Sequence, residues 1–311
     1  MSLAFVFPGQ GSQSLTMLSD LATKFPHVQI TFAEASYHLG YDLWDLITSG
    51  PEELLNDTQR TQPAMLAAGI AVWHSWQSVS EIKPSYLAGH SLGEYTALVA
   101  SGALDFADAI KLVEQRGQFM QQAVPVGEGA MAAILGLDDD AVQAVCLEAA
   151  KNGVAEAVNF NSPGQVVIAG ERAAINNAIE IAKEKGAKRA LLLPVSVPSH
   201  CELMKPAAEK LATILDTITI KTPTIPVIHN VNVGIATSEA DIKQLLTQQL
   251  YNPVRWVETV NYLADQGVDL IVECGPGKVL AGLTKRINKA VVAYPVLDQA
   301  TLDKAITALG E

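Results

Sequence analysis

Apolar and polar positions follow two rhythms along this chain. In the first, mostly apolar runs at Leu3 to Phe7, Tyr86 to His90 and Asp269 to Glu273 stop at turn residues and give way to helical spacing. Short unbroken apolar runs read as strands buried on both faces, as in a parallel sheet. Pro8-Gly9-Gln10-Gly11 and Gly275-Pro276-Gly277 turn the chain after the first and last of them. Met65, Leu66, Gly69, Ile70, Trp73 and Trp76 form one core-facing stripe, in a helix whose first turn is expected at Pro63. Leu92 to Ala100 and Lys278 to Ile287 read as further helices, which puts Ser91 where a strand hands over to a helix.

The second rhythm occupies 129–195. Strand Ala130 to Leu137 precedes a helix that opens with Asp138-Asp139-Asp140 and runs to about Lys151. Strands Val154 to Phe160 and Gln165 to Ala169 flank the turn Asn161-Ser162-Pro163-Gly164, and a helix from Glu171 to about Lys185 leads to strand Arg189 to Pro194. The order βαββαβ is the ferredoxin-like pattern. Elsewhere strands and helices alternate, which predicts a mostly parallel sheet with helices on both faces. The expected fold class is α/β: a large subdomain from 1–128 and 196–311, with a ferredoxin-like small subdomain inserted at 129–195.

Composition narrows what such a chain does. Its 311 residues are 49% hydrophobic and 17% charged, enough to fill cores without disulfide or metal staples. Lys+Arg 21 against Asp+Glu 33 gives 21 − 33 = −12, so a phosphate-binding surface is not expected and nucleic acid is excluded as a main partner. Cys146, Cys201 and Cys274 are odd in number, far apart and without metal-ligand spacing, which fits a reducing compartment and no metal. The N-terminal apolar run stops at Pro8, too short for a signal peptide, and no run is long enough to span a bilayer. The chain is read as cytoplasmic, with no membrane partner, and as a monomer.

Gly89-His90-Ser91-Leu92-Gly93 matches G-x-S-x-G in the strand-to-helix setting where that motif exposes a nucleophilic hydroxyl. The alternative to a nucleophile is an ordinary serine that N-caps the helix. A nucleophile requires a base, and the histidines are His27, His38, His74, His90, His200 and His229. His74 reads as a partly buried helix residue, and the side chain of His90 should point away from that of Ser91. His200 follows the proline-bounded segment Pro194 to Ser199, where a loop could reach an active site or simply face solvent. Its neighbour Cys201 is a rival nucleophile or a passive buried thiol. Gly9-Gln10-Gly11 and the N–H of Leu92 could donate to an oxyanion, although the glycine segment alone could be a plain turn.

FVFPGQGSQ (Phe5 to Gln13), GHSLGEYTAL (Gly89 to Leu98), QRG (Gln115 to Gly117), GAMAAILG (Gly129 to Gly136), VPSH (Val197 to His200), NPVRW (Asn252 to Trp256) and ECGPG (Glu273 to Gly277) lie in order along essentially the whole chain. Together they resemble the malonyl-CoA:acyl-carrier-protein transacylases, in the stand-alone form that serves fatty acid synthesis. The resemblance implies an α/β-hydrolase-like large subdomain carrying the ferredoxin-like insert. It implies Ser91 as nucleophile, His200 as base, Gln10 and Leu92 as oxyanion N–H donors, Arg116 as binder of the malonyl carboxylate, and the Gln249 backbone carbonyl as the group that orients His200. It further implies malonyl-CoA and acyl carrier protein as partners and no cofactor, the pantetheine being carried by the partner. Two other readings share some of these residues: a serine esterase or thioesterase, which lacks here an HGGG-type loop and a convincing triad acid, and a noncatalytic carrier-binding module. Basic clusters at Lys278, Lys285, Arg286 and Lys289, and at Lys183, Lys185, Lys188 and Arg189, are candidate docking groups for an acidic carrier.

Overall fold

A computed structural model of the protein describes residues 2–195 and 197–310. Its strands, in chain order, are β1 (Leu3–Phe7), β2 (Tyr86–Gly89), β3 (Gly129–Leu135), β4 (Ala155–Ser162), β5 (Gln165–Glu171), β6 (Arg189–Leu192), β7 (Val227–Ile228), β8 (Leu270–Cys274) and β9 (Val292–Val296). They form a five-stranded sheet, ordered β7-β2-β1-β8-β9, and a four-stranded sheet, ordered β4-β5-β3-β6. Every pairing in the first is parallel and every pairing in the second antiparallel. The architecture is thus the mixed α/β fold that the two rhythms predict.

The central strand β1 is buried at all its positions because helices cover both faces of the parallel sheet. Phe5 points to the helix Thr58–Gln77, edge-on to Trp73 at 5.3 Å and Trp76 at 4.9 Å. Such aromatic pairs contribute about 0.5–1.5 kcal/mol each beyond burial. Ala4 and Val6 point the other way, into a core shared with Val260, Leu263 and Leu280. The antiparallel sheet is two-faced in the same manner. Ala130, Ala132 and Ile134 of β3 meet Val142, Val145, Ile175 and Ile179 of the helices Asp139–Ala149 and Arg172–Glu184. Met131 faces the opposite side with Val158, Val167 and Cys201. The antiparallel sheet is tied to the segment that leads into the helix Trp256–Asp265, where Phe160 N–H donates to Val254 O (3.0 Å) and Val254 N–H to Val158 O (2.8 Å).

Several bounds differ from the sequence pattern for local reasons. The helix expected to open at Pro63 opens at Thr58, with Pro63 inside it. Asp57 caps that earlier start by accepting from Gln59 N–H, and Thr61 Oγ1 anchors it by donating to Leu55 O at 2.6 Å. β3 stops at Leu135, ahead of Gly136, whose φ is 93°. β4 runs on to Ser162, narrowing the hairpin turn to Pro163-Gly164, and β6 ends at Leu192 rather than Pro194. β9 contains Pro295, tolerated because the strand pairs on one side only. We propose that 129–195 is an inserted unit, on the strength of its separate core. Met1, Ser196 and Glu311, at the limits of that division, lie outside the described residues. Among the described residues no helix is long and apolar enough to cross a membrane.

Candidate active site

Ser91 sits between β2 and the helix Gly93–Ala100 at φ 51°, a left-handed conformation that costs free energy in a residue with a Cβ. The turn is possible only because glycines flank it. A Cβ on Gly89 would lie 1.8 Å from the Gly93 carbonyl carbon, and one on Gly93 would lie 2.0 Å from Phe7 O. Hydrogen bonds hold the strained backbone on both sides. Asn230 Oδ1 accepts from Ser91 N–H (2.8 Å), Asn230 Nδ2 donates to Gly89 O (2.7 Å), and Gln249 Nε2 donates to Ser91 O (3.0 Å).

His200, far from Ser91 in sequence, lies against its hydroxyl: Oγ to Nε2 is 2.8 Å. The Gln249 backbone carbonyl is 2.7 Å from Nδ1, and a carbonyl only accepts, so Nδ1 carries the proton and Nε2 presents its lone pair to the serine. His200 N–H donates to Leu250 O at 2.9 Å, fixing the loop at φ 69°. The imidazole is 3% exposed, and its pKa is pushed down to about 3, first by burial and then by the Arg116 cation. It is therefore neutral across the ordinary pH range. Among the described residues no carboxylate contacts it.

Arg116, on the helix Phe106–Ala123, is 1% exposed. Nη1 donates to Gln62 Oε1 (2.8 Å), and Nη2 donates to Gln249 Oε1 (2.9 Å) and to Ser91 Oγ (3.3 Å). Nε has no partner among the described residues. Burial lowers its pKa, yet guanidinium stays charged in proteins, which leaves a cation held by neutral amide oxygens beside the serine. Gln10 and Leu92 flank the serine in the cavity wall, and no backbone acceptor within the described turns and loops takes the N–H of either.

These groups line one cavity of about 310 Å³ between the carboxyl ends of the parallel strands and the inner face of the antiparallel sheet. Met131, Ala133, Val167 and Leu193 close it with apolar surface, and Met120 and Gln62 sit beside Arg116. His90 also lines it, hydrogen-bonded through Nε2 to Asn161 Oδ1 at 2.8 Å. Cys201 is fully buried, its thiol donating to Pro198 O at 3.1 Å and pushed up to about 12 by burial, so it is no rival nucleophile. His27 and His74 are exposed and stand together elsewhere, their rings 6.5 Å apart. Among the described residues no group of three or more His, Cys, Asp or Glu side chains could hold a metal ion.

Sequence reasoning passed over Gln62, Asn230, His229 and Glu94. Glu94 carried a signal: it is the only acid in the otherwise apolar helix GEYTALVA, and it is fully buried.

Residues 4–299 match the acyl transferase domain family. The chain is 56% identical to the malonyl CoA-acyl carrier protein transacylase of Escherichia coli K12 over 303 residues, covering 97% of this chain and 98% of that one. It is also similar, at 56% identity and a TM-score of 0.98 over 99% of this chain and 100% of the other, to a malonyl-transacylase solved in complex with a holo type II PKS acyl-carrier protein. An acyl carrier protein S-malonyltransferase from Vibrio cholerae O1 is 57% identical, with a TM-score of 0.96 over 98% of this chain and 99% of that one. Spanning the full length of such relatives and holding the serine, histidine and arginine together in one cavity, the chain belongs to the malonyl CoA-acyl carrier protein transacylases.

Proposed function

We propose that the protein moves the malonyl group of malonyl-CoA to the pantetheine thiol of acyl carrier protein through a malonyl ester on Ser91. One observation carries this reading. The Ser91 hydroxyl is bonded at once to a neutral imidazole (2.8 Å) and to a buried guanidinium (3.3 Å). The first is a base for the hydroxyl, and the second is a partner for an acyl group that bears its own carboxylate.

In the first half-reaction His200 Nε2 takes the hydroxyl proton while Oγ attacks the thioester carbon. The Gln10 and Leu92 N–H groups receive the oxyanion, and the C–S bond breaks as His200 returns the proton to the departing sulfur. The Gln249 carbonyl holds the imidazolium formed on the way, the task a carboxylate performs in a Ser-His-Asp triad. In the second half-reaction the carrier thiol gives its proton to His200, attacks the ester, and Ser91 Oγ recovers the proton. Arg116 pairs with the malonyl carboxylate in both halves. The steps draw on no cofactor, and the reading places them in the cytoplasm, as a supply of malonyl groups for fatty acid synthesis.

For the acidic carrier, the cluster around Lys285 and Arg286 is the better docking site. Those residues are exposed on the helix Val279–Ile287, whose Val279, Leu280 and Leu283 line the cavity, whereas Lys183 and Lys185 are already paired with Glu180 and Glu148. Intact-protein mass spectrometry tests the whole reading. Malonyl-CoA should add one malonyl mass to the protein, a holo carrier should remove it by transfer, and Ser91→Ala should take up none. Loss of the label to water would indicate an esterase, and a label on Cys201 would sink the assignment.

A further inference from the structure

Glu94 does not line the cavity, yet Ser91, His200 and Arg116 each connect to it through Asn230 or Gln249. Its side chain is fully buried, as are His229, Asn230 and Gln249 around it. Oε1 accepts from His229 Nδ1 (2.7 Å), while Oε2 accepts from Asn230 N–H (2.9 Å) and Gln249 Nε2 (2.8 Å). One further bond reaches the site. Asn230 clamps the elbow through Ser91 N–H and Gly89 O. Gln249 holds Ser91 O with its amide nitrogen, Arg116 with its amide oxygen and His200 with its backbone carbonyl.

An ionised carboxylate only accepts hydrogen bonds, and a guanidinium only donates them. Placed on either side of the Gln249 amide, the two allow a single orientation, with NH₂ toward Glu94 and oxygen toward Arg116. Turned over, the amide would aim N–H groups at Arg116 and its oxygen at Glu94, leaving two buried charges facing like dipoles. The carboxylate is thus the buried counter-charge that Arg116 lacks at contact distance, acting through one amide.

We propose that Glu94 is a positioning residue for malonyl recognition: by fixing the Gln249 amide and Asn230, it holds the Arg116 guanidinium in register with the Ser91 hydroxyl. The inference rests on the reading that Ser91 carries a malonyl group whose carboxylate meets Arg116.

The test compares malonyl-CoA with acetyl-CoA in the acylation half-reaction. Glu94→Gln keeps the size of the side chain and removes the charge, so the Gln249 amide is no longer forced into one orientation. The ratio of malonyl to acetyl kcat/KM should fall by about 10-fold or more, with Ser91 still acylated. A role in folding alone would slow both thioesters by the same factor, and that result would overturn the proposal. Gln249→Met removes the amide but keeps the backbone carbonyl used by His200, and it should narrow the ratio to a similar degree. The two substitutions together should add little to either alone, because they break one link; effects that multiply would count against it. If Glu94→Gln does not fold, the Gln249→Met ratio decides, and an unchanged ratio refutes the proposal. The unsubstituted enzyme in the same assay separates the two levels: failure to take malonyl on Ser91 refutes the functional reading, whereas normal labelling with unchanged ratios in the variants refutes only the part given to Glu94.

Discussion

The parallel and antiparallel sheets face each other across one cavity and furnish it in different ways. From the parallel sheet come chain ends: β1 leads to Gln10 and β2 to Ser91 in the cavity wall, and β7 leads to His229 and Asn230 buried behind it. From the antiparallel sheet comes a face, with Met131 and Ala133 on β3 and Val167 on β5 standing on the pleat opposite the helices. Where parallel strands end, backbone N–H groups lose their ladder partners and helix N-termini point inward, so charge and nucleophiles gather there. A pleated face presents every second side chain at regular height, which suits a wall that excludes water. Substitutions on the two sides should therefore fail in different ways, one in the chemistry and the other in fit.

The largest effect is expected where a proton is moved, at His200 on the loop that follows β6. His200→Ala should slow acylation of Ser91 by about 10²–10⁴-fold, the usual contribution of a general base, measured in single turnovers with malonyl-CoA. Its pH dependence is equally diagnostic. An ordinary histidine becomes half protonated near pH 6.5 and loses its base function below that, but His200 is pushed down to about 3 and stays neutral. The kcat/KM for malonyl-CoA should accordingly be flat from pH 8 to about 5 and fall only on further acidification, as protonation removes the base. A break near pH 6.5 would assign the proton transfer to another group.

Arg116→Ala comes next, because on the proposed reading it leaves Ser91 and His200 in place and removes the cation that would meet the substrate carboxylate. Malonyl transfer should drop by about 10²–10⁴-fold while acetyl transfer is spared or improves. Equal losses for both thioesters would make Arg116 a support of the fold. On the opposite wall, Met131→Ala should change malonyl transfer by less than about 10-fold and admit bulkier acyl groups, since it enlarges the cavity without touching a reacting atom. A loss as large as that of Arg116→Ala would erase the contrast between the sheets. The smallest effect is expected outside the cavity: reversing charge at Lys285 and Arg286 should raise the carrier KM several-fold, more at low salt, and leave acylation by malonyl-CoA unchanged.

Part of this architecture is written in the sequence itself. Apolar runs marked β1, β2 and β8, and the change of rhythm at 129–195 marked the antiparallel sheet, because strand and helix periods are written in neighbouring residues. The two-residue β7 and the proline-containing β9 left no such mark, since one is too short for a period and the other breaks the usual composition of a strand. The elbow was legible too, as its backbone strain has a local remedy in Gly89 and Gly93. Its histidine was not selected by spacing, and only resemblance pointed to His200.

The remainder of the site depends on separations that no local pattern encodes. Ser91 and His200 are 109 positions apart, Arg116 and Gln249 are 133 apart, and Glu94 and Gln249 are 155 apart. Residue identity determined which of these groups could donate, accept or carry charge. Packing of helices on two sheets decided which of them met, at hydrogen-bond distance and out of water, where a mismatch of donors and acceptors is costly and a match is therefore specific.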